Sequence, residues 1–235
     1  MNYKILFLSL GLSLVLINVN AEENLDKFEK STGGSNAFFN EAPSFSYSDF
    51  TSRSSKKNWL KDKSFNGSVQ FFRESFSGNV NIEHGSVKCM QTSVDGKLYI
   101  DKGDLFSKQT TIHEIEIDEG SVNIDETGVH GDMIIKHGNA RIDRSHIGSM
   151  KVNGYVDAAN SRIGSIIVTK EARFSECEIR SIIVPTHASE RIIRLKDDSK
   201  VKEIIFSSKE GSVYISNIKK EKFPKVTNGK IIIGE

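Results

Sequence analysis

Apolar and polar positions alternate along most of the chain, and the alternation repeats about every 17 residues. An aliphatic residue recurs two positions after a small Ser, Thr or Cys residue, in steps of 18, 17, 18, 16, 16 and 22 residues. The aliphatic positions are Val94, Ile112, Val129, Ile147, Ile163, Ile179 and Val201, and the small residues are Thr92, Thr110, Thr127, Ser145, Ser161, Cys177 and Ser199. Self-similarity at a fixed period of this length indicates a repeat architecture.

Each repeat contains three short segments in which alternate residues are apolar. In one unit these are the segment around Val129, the pair Met133 and Ile135, and the pair Ala140 and Ile142. A period of two is typical of β-strands, and strands this short bury their apolar faces only when successive units stack at about 4.8 Å. The sequence therefore predicts an all-β fold, a single-stranded parallel β-helix with about eight short, three-sided rungs over residues 66–218.

Two other all-β architectures fit the repeat less well. An antiparallel sandwich does not keep one residue type in one slot at a constant period. A left-handed helix of hexapeptide repeats has three equal sides, whereas the sides here contain about 7, 5 and 5 residues. We therefore favour a right-handed solenoid. Glycine often occupies the turn before the third pair, where a positive φ or close backbone packing suits it. These glycines are Gly85, Gly103, Gly120, Gly138 and Gly154.

The start of the chain has the pattern of a secretory signal peptide. Residues 1–21 contain one cation, Lys4, followed by an apolar run from Ile5 to Ile17 and a small-residue site that ends at Ala21. The run is shorter than the roughly 20 apolar residues that a spanning helix needs. We therefore predict export to the periplasm, the cell surface or the medium, without a transmembrane anchor in the mature chain.

Two further segments differ from the repeat in composition. Residues 22–65 form a polar N-terminal arm or linker dotted with aromatic residues. Residues 219–235 form a charged C-terminal segment that ends in one apolar strand. That strand has three possible roles: it closes the last rung, covers an apolar face of the solenoid, or adds to a neighbouring molecule.

An apolar ladder is predicted on the outer surface. The residue between two inward-facing residues of a strand points outward, and on three successive C-terminal rungs this residue is Ile167, Ile183 or Ile205. We call these three residues the isoleucine ladder. A contiguous apolar patch usually marks an interface, unless the chain covers the ladder itself. The predicted interface consists of Ile167, Ile183, Ile205, Ile231, Ile232 and Ile233.

A second outward slot is polar. It contains Arg141, Asp157, Arg173 and Arg194 on successive rungs, which we call the polar face. The first three alternate in sign, as expected of a solvated ladder with weak pairs between rungs. The polar face is the candidate binding surface for a glycan or a surface protein.

Composition and motifs give little support for catalysis. The 32 Lys and Arg residues and 31 Asp and Glu residues leave a net charge of +1, which argues against a nucleic-acid partner. No nucleotide-binding loop or hydrolase motif is present. His113 and His130 share a slot on adjacent rungs, but two histidines without a third ligand make a weak zinc site. We therefore predict no catalytic, cofactor-binding or metal-binding residues.

The two cysteines are predicted to remain reduced. In the proposed register, Cys89 and Cys177 face inward and lie five rungs apart. This separation is about 24 Å at the rung spacing, and a disulfide needs Cα atoms within roughly 7 Å.

The clearest stretch of the repeat is GDMIIKHGNARIDRSHIGSMKVNGYVDAANSRIGSIIV, and it resembles the bactofilin-type β-helix. The resemblance covers roughly residues 77–184 and is one of periodicity. It implies a compact right-handed β-helix that polymerises end to end into filaments. Bactofilins are typically cytosolic, whereas this chain begins with an export signal. The chain therefore resembles exported adhesin-like β-helices with degenerate repeats equally well.

Two functions are consistent with these features. The first is an exported, non-enzymatic β-helix that acts as a structural, adhesin-like or self-assembling module, as a homo-oligomer or filament. The second is a carbohydrate-binding or polysaccharide-processing β-helix at the cell envelope. The isoleucine ladder and the near-neutral charge favour the first.

Overall fold

A computed structural model describes residues 51–52, 62–207 and 210–234. The predicted signal peptide and most of the predicted arm lie outside the described residues. The strands are β1 (Thr51–Ser52), β2 (Lys63–Phe65), β3 (Val69–Phe72), β4 (Ser75–Phe76), β5 (Val80–His84), β6 (Val87–Met90), β7 (Ser93–Lys102), β8 (Leu105–Lys108), β9 (Thr111–Glu119), β10 (Val122–Asp125), β11 (Gly128–His137), β12 (Ala140–Asp143), β13 (His146–Val152), β14 (Val156–Ala159), β15 (Arg162–Val168), β16 (Ala172–Ser175), β17 (Glu178–Val184), β18 (Ile192–Lys196), β19 (Lys200–Phe206), β20 (Gly211–Ser216), β21 (Lys225–Thr227) and β22 (Gly229–Ile233).

The strands form two parallel sheets in which each strand pairs with its equivalent one turn away. Sheet A runs β1-β3-β6-β8-β10-β12-β14-β16-β18-β20-β22, and sheet B runs β2-β5-β7-β9-β11-β13-β15-β17-β19-β21, with β4 also paired to β7. The chain alternates between the sheets as it advances by one turn. The predicted single-stranded parallel β-helix is confirmed, with about nine turns.

Two of the three predicted segments in a unit are continuous. β11 contains both the segment around Val129 and the segment around Met133, and its pairing with β13 shifts in register between Val129 and Asp132. Sheet B therefore bends within its strands, and the bend separates two of the sides. The third segment, such as Ala140–Asp143, belongs to sheet A.

The inward-facing residues stack into apolar ladders between the sheets. In sheet A, Val122 pairs with Ala140 and Ile124 with Ile142. All four are at most 1% exposed, as the predicted inward positions require. One continuous core runs from Val69 to Ile215, so each rung is stabilised by burial against its two neighbours.

The slot of small residues is a buried hydrogen-bonding ladder. Thr110 Oγ1 donates to the carbonyl of Lys108 at 2.9 Å. The hydroxyl of Ser145 accepts from the backbone N–H of Thr127, one rung earlier, at 3.1 Å. Cys177 occupies the same slot, with its Sγ 3.3 Å from the carbonyl of Ala158. The predicted Ser, Thr and Cys ladder therefore satisfies backbone groups at a corner that is closed to water.

A sharp, non-glycine turn precedes this slot in every complete unit and was not predicted. Its residue has a positive φ, between 45° and 60°. These residues include Arg73, Gln91, Gln109, Glu126, Arg144, Asn160, Glu176, Asp198 and Asn217. Their side chains link successive rungs: Gln91 donates to Gln109 at 3.1 Å, and Gln109 donates to Glu126 at 2.7 Å. These exposed bonds accompany a backbone conformation that non-glycine residues rarely adopt.

Parallel pairing extends N-terminal to residue 66. β1 pairs with β3 and β2 pairs with β5, so residues of the predicted arm also contribute strands to the sheets. At the other end, β22 pairs with β20 and adds the last strand of sheet A. Of the three roles open to the terminal strand, the structure shows closure of the last rung. Within the described residues, no helix is long and apolar enough to cross a bilayer.

Replacing Gly120 by Ala tests the close packing at the glycine corners. Gly120 has a φ of +152°, and an added Cβ would lie 1.9 Å from the carbonyl oxygen of Gly103. We expect Gly120→Ala to lower the free energy of unfolding by roughly 2–4 kcal/mol in urea denaturation. Gly128→Ala is the matched control, because a Cβ there meets nothing within 4 Å. Equal losses in the two variants would contradict the packing.

The thiols provide a second test of the stack. Cys89 and Cys177 are free and buried. Burial raises the pKa of both thiols, that of Cys177 to about 11, and a thiol that stays protonated and enclosed reacts slowly. We expect a thiol reagent to label neither cysteine in the native protein and both in guanidinium chloride. A Cys89–Cys177 disulfide found by mass spectrometry would contradict the register.

Candidate functional site

The isoleucine ladder is present on the outer face of sheet B. Ile167 pairs with Ile183, and Ile183 pairs with Ile205. The three side chains are half-buried, which is the exposure expected of neighbours that shield one another on an open sheet. The terminal strand β22 belongs to sheet A, so it does not cover the ladder.

The outward face of sheet B carries charges in its N-terminal half. Glu116 lies between Lys97 at 2.7 Å and Lys136 at 2.9 Å. Lys136 also contacts Asp118 at 2.8 Å, and Asp118 accepts from the hydroxyl of Tyr99 at 3.0 Å. Hydrogen bonds from Lys97 and Lys136 lower the pKa of Glu116, and the hydrogen bond from Lys136 lowers that of Asp118. This face of sheet B therefore changes from an ion-pair network to the apolar ladder.

The six predicted interface residues do not form one surface. Ile231 and Ile233 pair with the core residues Val213 and Ile215, so they occupy inward positions at the end of the stack. They are 37% and 68% exposed because no described strand lies beyond them. Ile232 pairs with Tyr214 and occupies the outward slot of sheet A. The grouping of these three residues with the isoleucine ladder is therefore not supported by their positions.

The four polar-face residues lie in one ladder, as predicted. Arg141 pairs with Asp157, Asp157 with Arg173, and Arg173 with Arg194. Burial is the main cause that raises the pKa of Asp157, although Arg141 and Arg173 oppose the shift. The carboxylate is thus held among cations in a half-buried position.

Glu171 organises the polar face and was missed by the sequence analysis. Its side chain is 8% exposed, and its Oε1 accepts from Nε of Arg173 at 3.2 Å and from Nε of Arg194. Glu171 lies immediately before β16, where no repeat position specifies a carboxylate. It fixes two of the four predicted side chains.

Tyrosines flank this cluster. The guanidinium of Arg194 lies 4.7 Å from the centre of the Tyr214 ring, and the ammonium of Lys170 lies 4.8 Å from that of Tyr155. Tyr155 also donates to Glu190 at 2.8 Å. Glu190 belongs to the long connection between β17 and β18, so this connection is attached to the side of the polar face.

The described residues contain no group of three or more His, Cys, Asp and Glu side chains with the geometry to hold a metal ion. Comparison of the chain with family models, with curated proteins and with solved structures gives no match. The family resemblance drawn from the repeat therefore rests on the solenoid architecture alone.

Lys136→Met tests the ion-pair network through its pH dependence. The folded-state pKa values of Glu116 and Asp118 are lowered, so the ionised carboxylates stabilise the fold above about pH 4, and this contribution is lost as the pH falls through the lowered values. We expect Lys136→Met to be less stable than the wild type at pH 7, with a difference that shrinks as the pH falls below about 4, as measured by urea denaturation.

Lys151→Met is the control for this experiment. Lys151 is exposed on the next rung of the same face, where it pairs with Ile134, and it has no ion pair among the described residues. We expect its effect on stability to be small and independent of pH. A difference between Lys136→Met and the wild type that persists unchanged at pH 2 would contradict the network.

Proposed function

We propose that this protein is an exported, non-enzymatic β-helix that serves as a structural or adhesive module and self-associates. The proposal rests on the exposed strand at the C-terminal end of the stack. There the core positions Ile231 and Ile233 are exposed, and β22 pairs on one side only within the described chain. A strand edge of this kind is a template for pairing with another chain.

A second copy of this chain is the occupant we propose for that end. The edge offers unpaired backbone groups together with apolar side chains at the spacing of the core, and another β-strand edge complements both. The signal-peptide pattern of residues 1–21 supports export. The ion pairs between rungs, such as Glu116 with Lys97 and Lys136, support a structural role for the charged side chains.

The isoleucine ladder is a second contact surface in this proposal. Its three half-buried side chains form an apolar strip along sheet B, whereas the N-terminal half of the same face carries the ion-pair network. A lateral contact on the C-terminal half would bury the strip and leave the ion-pair network in water.

Carbohydrate binding at the polar face is the alternative function. It is favoured by the tyrosines beside the Glu171 cluster, because aromatic rings next to charged hydrogen-bonding groups suit the mixed surface of a sugar. A glycan-binding screen in which Arg194→Gln removes the signal would support this alternative. This alternative function includes polysaccharide processing as well as carbohydrate binding.

Ile233→Lys tests self-association at the C-terminal end. We expect the purified wild-type protein to grow in size with concentration, as measured by light scattering and negative-stain microscopy, and Ile233→Lys to stay monomeric at concentrations where the wild type associates. The 68% exposure of Ile233 makes loss of folding a minor concern.

Phe72→Lys is the matched control, because Phe72 is also a large exposed apolar residue, at 43%, in the N-terminal part of the solenoid. We expect this variant to associate like the wild type. Ile183→Ser reports separately on the lateral contact. A wild-type protein that remains monomeric at every concentration would refute the proposal.

A further inference from the structure

A groove of about 650 Å³ follows the bend of sheet B in the C-terminal half. The groove is lined by strands β13, β15, β17 and β19, which are adjacent in the sheet. Six of its lining residues have basic side chains: His146, Arg162, Arg180, Lys200, Lys202 and Lys222. We propose that this cationic groove binds an anionic polysaccharide. It lies on different strands from the polar face and does not depend on self-association.

The hollow arises from glycines at the bend. Gly148 and Gly164 occupy the bend on adjacent rungs, and an added Cβ on Gly164 would lie 2.1 Å from the carbonyl oxygen of Gly148. No side chain fits there, so the backbone forms part of the groove wall. On the next two rungs the equivalent slot holds Arg180 and Lys202. At the bend, the bare backbone of the two glycine rungs therefore lies beside the cationic side chains of Arg180 and Lys202.

Most of the positive charge in the groove is not neutralised. Glu178 is the one carboxylate among the described residues that line the groove, and it pairs with Arg162 at 2.9 Å. Lys222 pairs with Asp198 at 3.0 Å. Within the part of the chain that the structure describes, Arg180 and Lys202 have no ion-pair partner. Exposed ion pairs contribute little stability, so an incoming anion competes with Glu178 and Asp198 at small cost.

The arrangement suits an extended polymer with repeated charges. The cations recur on successive rungs at about 4.8 Å, so they follow the solenoid axis and meet carboxylate or sulfate groups along a sugar chain. A planar bilayer cannot enter the concave bend. Single-stranded nucleic acid is bound through aromatic stacking platforms, and the described residues that line the groove include no Phe, Tyr or Trp. An anionic polysaccharide satisfies the shape and the charge together.

Binding to defined polymers tests this inference. Heparin serves as the sulfated probe, polygalacturonate as the carboxylated probe and dextran as the uncharged control, with affinities measured on the full protein by calorimetry at several salt concentrations. We expect binding to at least one of the two polyanions and none to dextran. The double variant Arg180→Ser/Lys202→Ser should weaken that binding tenfold or more because it removes two charge-assisted contacts.

Lys102→Ser/Lys151→Ser is the charge-matched control. Both lysines are exposed and lie outside the groove, so we expect less than a twofold change in affinity. The groove variant should also lower the slope of log K against log salt by about one for each cation removed. Circular dichroism and thermal unfolding confirm that both variants are folded.

Several results would overturn the inference. One is the absence of binding to both polyanions. Another is an equal loss of affinity in the groove variant and the charge-matched control, which would indicate a diffuse electrostatic attraction. Tighter binding to duplex DNA, single-stranded DNA or vesicles of anionic phospholipid than to either polyanion would assign the groove to another class of partner.

Discussion

The in-register hydrogen bonding of each strand to its equivalent one turn away is the constraint on which the rest of the structure depends. It places like positions directly above one another, so that a single residue choice in the repeat becomes a ladder. Inward ladders such as Val122 with Ala140 form the core. Apolar burial and backbone pairing are therefore coupled, because a slip of one residue would turn every inward side chain outward.

The same constraint gives the surface its organisation. Each outward slot continues along the axis, and its chemistry changes where the sequence changes: the slot of Glu116 carries ion pairs, and further along it carries Ile183. The bend of sheet B produces a groove where Gly148 and Gly164 occur together. Surfaces of different character thus arise on one repeating scaffold.

The repeat architecture was predictable because inward positions must recur with the rung. The inward ladders, the small-residue slot and the separation of the two cysteines all follow from that periodicity. The continuity of two segments within β11 was not predictable, because a bent strand and two short strands share one apolar pattern. Glu171 was missed since it lies in a connection outside the repeat slots. The terminal isoleucines were assigned to one surface, although β22 takes a place in sheet A.

The register itself is tested most directly by paired cysteine substitutions. Ser165 and Ser181 are partners on β15 and β17, whereas Ser149 and Ser181 lie two rungs apart. Paired Cα atoms on adjacent rungs lie about 4.8 Å apart, which is within the range of a disulfide. Cα atoms two rungs apart are too distant for one. We predict that Ser165→Cys/Ser181→Cys forms a disulfide on oxidation of the folded protein, and that Ser149→Cys/Ser181→Cys does not. A bond in the second variant alone would contradict the stacked register.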